Sequence, residues 1–231
     1  MPQRSVGTRI LVGTTFVAEL NSIDAPPMSA ETIDTTALDS VGGYRTFTTG
    51  FRDGGEITVS GFYNKADGGQ SALLTAFNDG ATVPIKIMFP GAFAAEWQFN
   101  GVVTAYQGGN ASLEDMLAFE ATIKVSGKPT LLTTESSNLT NVTTTAGTMT
   151  FAATTYEYQI TTSGTSFTVT PTFASGTVDM YVDGTFNTSL TTATASTAVT
   201  ISSGQTKRVL LVARGSNTSA AKMYELVVTK P

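Results

Sequence analysis

The chain has 231 residues, of which 41% are hydrophobic and 13% charged, with a formal net charge of −5. That is too apolar and too weakly charged for a disordered protein, and no basic stripe marks a surface that grips nucleic acid. Cys and His are both absent, which excludes disulfides, thiolate or imidazole metal sites and Ser-His-Asp catalysis, and leaves only carboxylate chemistry open.

Residues 1–9 are polar and aperiodic. They read either as a frayed terminus or as an arm held by a neighbouring subunit. The apolar run that follows is too short for a signal peptide core, so synthesis in the cytoplasm is expected, and nothing approaches a membrane span. Ile10 to Leu20 reads as one strand with Phe16, Ala18 and Leu20 in phase, and Asn21 to Ser29 as a loop around Pro26-Pro27. Glu31 to Thr36 alternates like a half-buried strand. Residues 39–47, which include Gly42-Gly43, Tyr44 and Phe47, form a loop with two open readings: one that folds its aromatics back on the sheet, or one that orders on another subunit. Phe47 to Phe51 resumes an extended pattern. Arg52-Asp53-Gly54-Gly55 supplies a hairpin turn, and Glu56 to Ser60 alternates with Ile57 and Val59 on one face.

Asp67 to Asn78 is the one helix candidate. Asp67 or Ser71 caps its start and Gly80 its end, with Leu73, Leu74 and Phe77 on a shared face. Strands follow at Val83–Phe89, Glu96–Tyr106 and Leu117–Val125, with Trp97 and Phe99 directed inward. Gly127-Lys128-Pro129 marks a boundary. Beyond it 38 of 101 residues are Thr or Ser, and the charge changes: residues 1–130 hold 13 acids against 8 bases, a net of −5, while 131–231 hold five of each. Short strands at Tyr156–Ile160, Phe167–Phe173, Val178–Val182, Ala198–Ile201, Val209–Ala213 and Tyr224–Val228, with turns such as Asp183-Gly184, predict a second β-sandwich. The acidic neighbours Glu114-Asp115 and Asp53/Glu56 read as solvated turns, because a glycosidase needs two carboxylates set across a cleft. No catalytic residue, metal site or cofactor is expected.

The order Ile33-Asp34, Leu38-Asp39-Ser40, Tyr44, Phe47, Gly50-Phe51 and Asp53-Gly-Gly-Glu-Ile-Thr-Val59 resembles the major tail tube proteins of long, non-contractile phage tails. The likeness continues through Asp67-Gly-Gly-Gln70, Val83 to Pro90 and Phe119 to Pro129. The last 95 or so residues resemble immunoglobulin-like or cadherin-like sandwiches of phage and bacterial surface proteins. The resemblance implies a mainly β chain: a tail tube domain at 1–130 (a β-sandwich or barrel with one flanking helix), a linker at 131–137 and an Ig-like sandwich at 138–231. It implies a virion protein that is not an enzyme. Such a protein forms stacked hexameric rings, meets tail-tip or initiator, tape-measure and terminator proteins, and passes DNA without binding it specifically. Expected contacts between subunits are Arg4 and Arg9 of the arm and Asp39, Tyr44, Arg45 and Phe47 of the loop. Glu56, Thr58, Lys86 and Glu120, on outward strand phases, are the candidates for the bore. The second domain would project outward, as a spacer or with weak contact to cell-surface glycans. An adhesin built of two sandwich domains is the alternative.

Overall fold

A closed barrel forms the first half of the chain in a computed structural model, which describes residues 5–38, 40–111, 113, 115–136 and 139–231. Its strands are β1 (Arg9–Val12), β2 (Thr15–Phe16), β3 (Leu20–Ile23), β4 (Ser29–Asp34), β5 (Phe47–Asp53), β6 (Glu56–Phe62), β7 (Thr82–Met88), β8 (Glu96–Asn110) and β9 (Ala118–Leu132). The sheet runs β2-β1-β7-β8-β9-β6-β3. Closure comes from the stretch holding β2 and β3: the Val17 amide donates to the Ile10 carbonyl of β1, and the Phe62 amide of β6 donates to the Glu19 carbonyl. The expected single strand Ile10–Leu20 is therefore three pieces. A turn at Gly13 and a positive φ of 60° at Glu19 redirect the chain, so Phe16 and Val17 are both buried on opposite faces while Ala18 is exposed.

Ile10, Val12, Ile57, Val59, Ile85, Ile87, Phe99 and Ile123 fill the barrel, following the two-residue alternation of their strands. Trp97 packs at its margin. The helix α1 (Gly68–Asp79) has the predicted ends: the Asp67 side chain accepts from the Gln70 amide, and Gly80 closes it in the left-handed region. A Cβ at Gly69 would collide with the Phe16 carbonyl oxygen, so glycine lets the helix sit directly on the closing strand. Only one side of the predicted apolar face is used. Leu73 is buried with Gln70 and Ala76, whereas Leu74 and Phe77 remain exposed.

β9 runs on through Gly127-Lys128-Pro129 to Leu132 instead of ending there. The segment after it is anchored: Ser136 is buried, and its hydroxyl donates to the Ala220 carbonyl. Then come β10 (Asn141–Thr144), β11 (Glu157–Thr161), β12 (Ser166–Phe167), β13 (Val169–Thr172), β14 (Thr177–Val182), β15 (Thr185–Leu190), β16 (Val199–Thr200), β17 (Thr206–Arg214) and β18 (Lys222–Thr229). A sheet ordered β11-β18-β17-β14-β15 faces the short pairs β10-β13 and β12-β16. Val169, Met180, Val209, Leu211, Tyr224 and Leu226 lie between these layers. Asp183 and Gly184 both take positive φ in the β14–β15 turn, as a two-residue hairpin requires.

Candidate functional site: assembly surfaces

The hairpin β4–β5 is a sheet of two strands. Residues 29–34 of β4 are exposed throughout, against the expectation of a half-buried strand. The alternation is present, but among the described residues no second layer covers it. Ile33, Tyr44, Phe47 and Phe51 are solvent-facing, Tyr44 at 80% and Phe51 at 87%. The predicted loop residues gather at the far end of this hairpin: Arg45 lies 3.7 Å from Asp34, next to Tyr44 and the first residue of β5, Phe47. Hydrogen bonds from Thr36 hold the Asp34 carboxyl below its usual pKa. At the other end Lys124 of β9 grips Asp53 at 2.8 Å and, with the Gly55 amide, lowers that carboxyl too. Arg4 and Asp39 lie outside the described residues.

Three of the four bore candidates share one patch on the outer face of the barrel. The register sets Glu56 opposite Lys124, Thr58 opposite Thr122 and Ser60 opposite Glu120. Lys86 stands apart. It pairs with Leu11 and Gln98 on β1 and β8, on the wall opposite β6 and β9 in the strand order, where the second domain docks. Burial there pushes its ammonium pKa down; Arg214 adds to this, while Glu96 and Asp179 oppose it.

That docking surface holds a cluster that no motif announced. Leu11, Phe16 and Met88 of the barrel pack against Tyr181, Leu210, Val212, Ala221 and Met223. The Phe16 amide donates to the Gly184 carbonyl, so the sheet continues from β2 into β15. Glu96 is fully buried. Arg214 reaches its two oxygens at 2.8 and 2.7 Å, and Gln98 and the Ala221 amide complete its partners. Arg9, expected in an arm between subunits, lies in β1 and pairs with Glu225 at 2.7 Å, where Arg208 also reaches. One signal was available: Val209-Leu-Leu-Val-Ala213 has no alternation, which is the mark of a strand buried on both faces. Among the described residues no acidic cluster could hold a metal ion, and no helix is long and apolar enough to cross a membrane.

The sequence model of a family described as lambda phage tail tube protein matches residues 11–132, just over half the chain. No curated protein matches. Among solved structures, a chain from the virion of a native gene transfer agent particle aligns at 22% identity and a TM-score of 0.48, covering 56% of this chain and 98% of its own. A chain from the tail of an empty gene transfer agent particle, refined with C6 symmetry, aligns at 23% and 0.48 over 56% and 98%. A chain from the sheath/tube terminator of an extracellular contractile injection system aligns at 14% and 0.46 over 57% and 96%.

Proposed function

Because the chain belongs to the lambda phage tail tube protein family, and so is a structural protein of the tail, we propose that it builds stacked hexameric rings of a long non-contractile tube through which DNA leaves the particle. The observation that carries this reading is the hairpin β4–β5. A two-stranded sheet that exposes Ile33, Tyr44, Phe47 and Phe51 is marginal alone and marks a surface meant for another protein. Its two open edges are the kind of pairing surface that a ring of copies uses up.

The second domain, an Ig-like sandwich in this reading, stands on the wall of β1, β2 and β7. If it faces outward, the opposite wall with Glu56, Thr58 and Glu120 faces the bore, and Lys86 does not. Six first domains carry on the order of −30 per ring, screened beyond roughly 8–10 Å, which keeps phosphates from sticking. Tail-tip, tape-measure and terminator proteins are the other partners. The outward domain serves as a spacer or adds weak glycan contacts multiplied over many copies.

Electron microscopy of the purified protein at rising concentration, alone and with a tail-tip complex, tests the assembly. Tubes with a regular axial repeat and six-fold end views are expected. Monomers under both conditions would overturn it.

A further inference from the structure

Each half of the chain lacks one face of its own surface. In β17 and β18, Val209–Ala213 and Lys222–Val228 are buried without a break. Val209, Leu211, Tyr224 and Leu226 turn into the sandwich, whereas Leu210, Val212 and Met223 turn out of it and onto Leu11, Phe16 and Met88 of the barrel. An antiparallel sheet that meets water on its outer face alternates apolar with polar residues. These two central strands do not. The barrel is incomplete at the same place. Without the second domain its sheet would end at β2, and an unpaired edge beside an apolar wall is a surface for unspecific pairing.

Ties surround this contact as well as filling it. The Phe16 amide joins Gly184, Arg9 pairs with Glu225, and the ring of Tyr156 lies so close to Gly91 that a Cβ there would collide with it. The connector is short and held at both ends. Leu132 still pairs with Glu96 of the barrel, while the carbonyl of Thr134 already accepts from the Ala220 amide of the second domain. The next residue, Glu135, reaches Lys222 at 3.1 Å. Domains of one chain move against each other unless their interface is large and apolar, and here the connector has no slack for such a motion. We infer that the second domain is a cap that the barrel needs and not an appendage that it carries, so that the two halves unfold as one unit. Removing it would uncover the β2 edge and the wall of Leu11, Phe16 and Met88 at once.

The sequence supplies one probe for each half. Its single tryptophan is Trp97, which packs at the margin of the barrel core, so its fluorescence reports the barrel. The chain has no cysteine, so Val169→Cys, at a fully buried position of the sandwich core, reports the second domain through reaction with a thiol reagent. The full-length protein is unfolded in urea at a concentration where it is monomeric, and both probes should share one midpoint. Phe167→Leu and Val142→Ala each open a cavity in the sandwich layer of short strand pairs, away from the barrel. Each should lower the Trp97 midpoint by about 0.5–1 M urea, together with the thiol midpoint. A thiol that reacts at lower urea while Trp97 keeps its midpoint overturns the inference and makes the second domain removable. A variant too weak to fold decides the matter in buffer: an unfolded Trp97 spectrum supports the cap, and a native one beside a fully reactive thiol overturns it. Both probes are read on the monomer, so either outcome leaves the tube reading untouched.

Discussion

The interface between the two domains and the hairpin β4–β5 both place large apolar side chains on the outer surface of the first domain's strands, with opposite results. At the interface Leu11, Phe16 and Met88 are covered by Tyr181, Leu210 and Val212, and the fully buried Glu96 carboxylate is met by Arg214, Gln98 and the Ala221 amide. On the hairpin Ile33, Tyr44, Phe47 and Phe51 stay in water. Burying apolar surface stabilises a chain by roughly 25 cal/mol per Å². The interface gains this within the monomer, while the hairpin can gain it only against another molecule. In the proposed reading stability and assembly are assigned to different surfaces, and mutations should separate them.

The largest effect is expected at Arg214. Arg214→Met leaves Glu96 buried without its cation, a defect that costs about 3–5 kcal/mol. Calorimetry should show the melting temperature falling by roughly 2–4 °C for each kcal/mol. Replacing both partners, Glu96→Leu with Arg214→Leu, should recover most of the loss, because the penalty lies in the orphaned charge. A double variant as unstable as the single one would mean that the cluster depends on the ion pair itself.

Next is Leu210→Ala. Leu210 is buried on the barrel-facing side of β17, and deleting it leaves a cavity between the domains worth about 2–5 kcal/mol. Chemical denaturation reads this. A loss below 1 kcal/mol would show the two domains to be loosely apposed.

A smaller, pH-dependent effect follows from Tyr181, which packs edge-on to Phe16 across the interface. Burial raises its hydroxyl pKa to about 12, and the neighbouring Asp179 adds to this. Tyr224, inside the second domain, is raised to about 12 as well, again by burial. A raised folded pKa means that the stabilisation is fully present below the unfolded value near 10 and is lost as pH climbs from there to 12. Thermal melts between pH 9 and 12 should decline through that window, and Tyr181→Phe should flatten the decline. An unchanged slope in Tyr181→Phe would assign the effect to other groups.

These targets differ in how far the sequence announced them. The helix was legible because its caps are local: Asp67 and Gly80 act within one turn of the residues that they satisfy. Ile57 and Val59 were legible because strand alternation is local too. The barrel's closure was not, since it depends on Glu19 adopting a positive φ, which a non-glycine residue rarely does. The partners Glu96 and Arg214, like Arg9 and Glu225, lie far apart in the chain and show no motif. Their only trace was the unbroken run Val209 to Ala213. For the candidate site the sequence located the aromatics of residues 39–47 but left two readings open, and the half-buried pattern of Glu31–Thr36 pointed the wrong way. Alternation records that a strand has two different faces; it does not record whether the apolar face is covered by the same chain or by another.

The smallest effect on stability belongs to the hairpin, and it is the most informative. Phe51→Ala and Tyr44→Ser remove side chains that are 87% and 80% exposed, so each should change the unfolding free energy by no more than about 0.5 kcal/mol. If the hairpin is an assembly surface, the same variants should fail to form tubes at concentrations where the parent protein does, with the monomer folded by circular dichroism. Phe51 makes the sharper case. It stands on β5 two residues before Asp53, whose ion pair with Lys124 fixes the strand's base to the barrel, so removing the ring leaves the strand's position intact. Tubes of normal yield and length from Phe51→Ala would confine the contact to the hairpin tip. The same outcome from Phe51→Ala and Tyr44→Ser together would leave the exposed apolar face without an assembly role, and the division between a surface that stabilises and a surface that assembles would have to be drawn elsewhere.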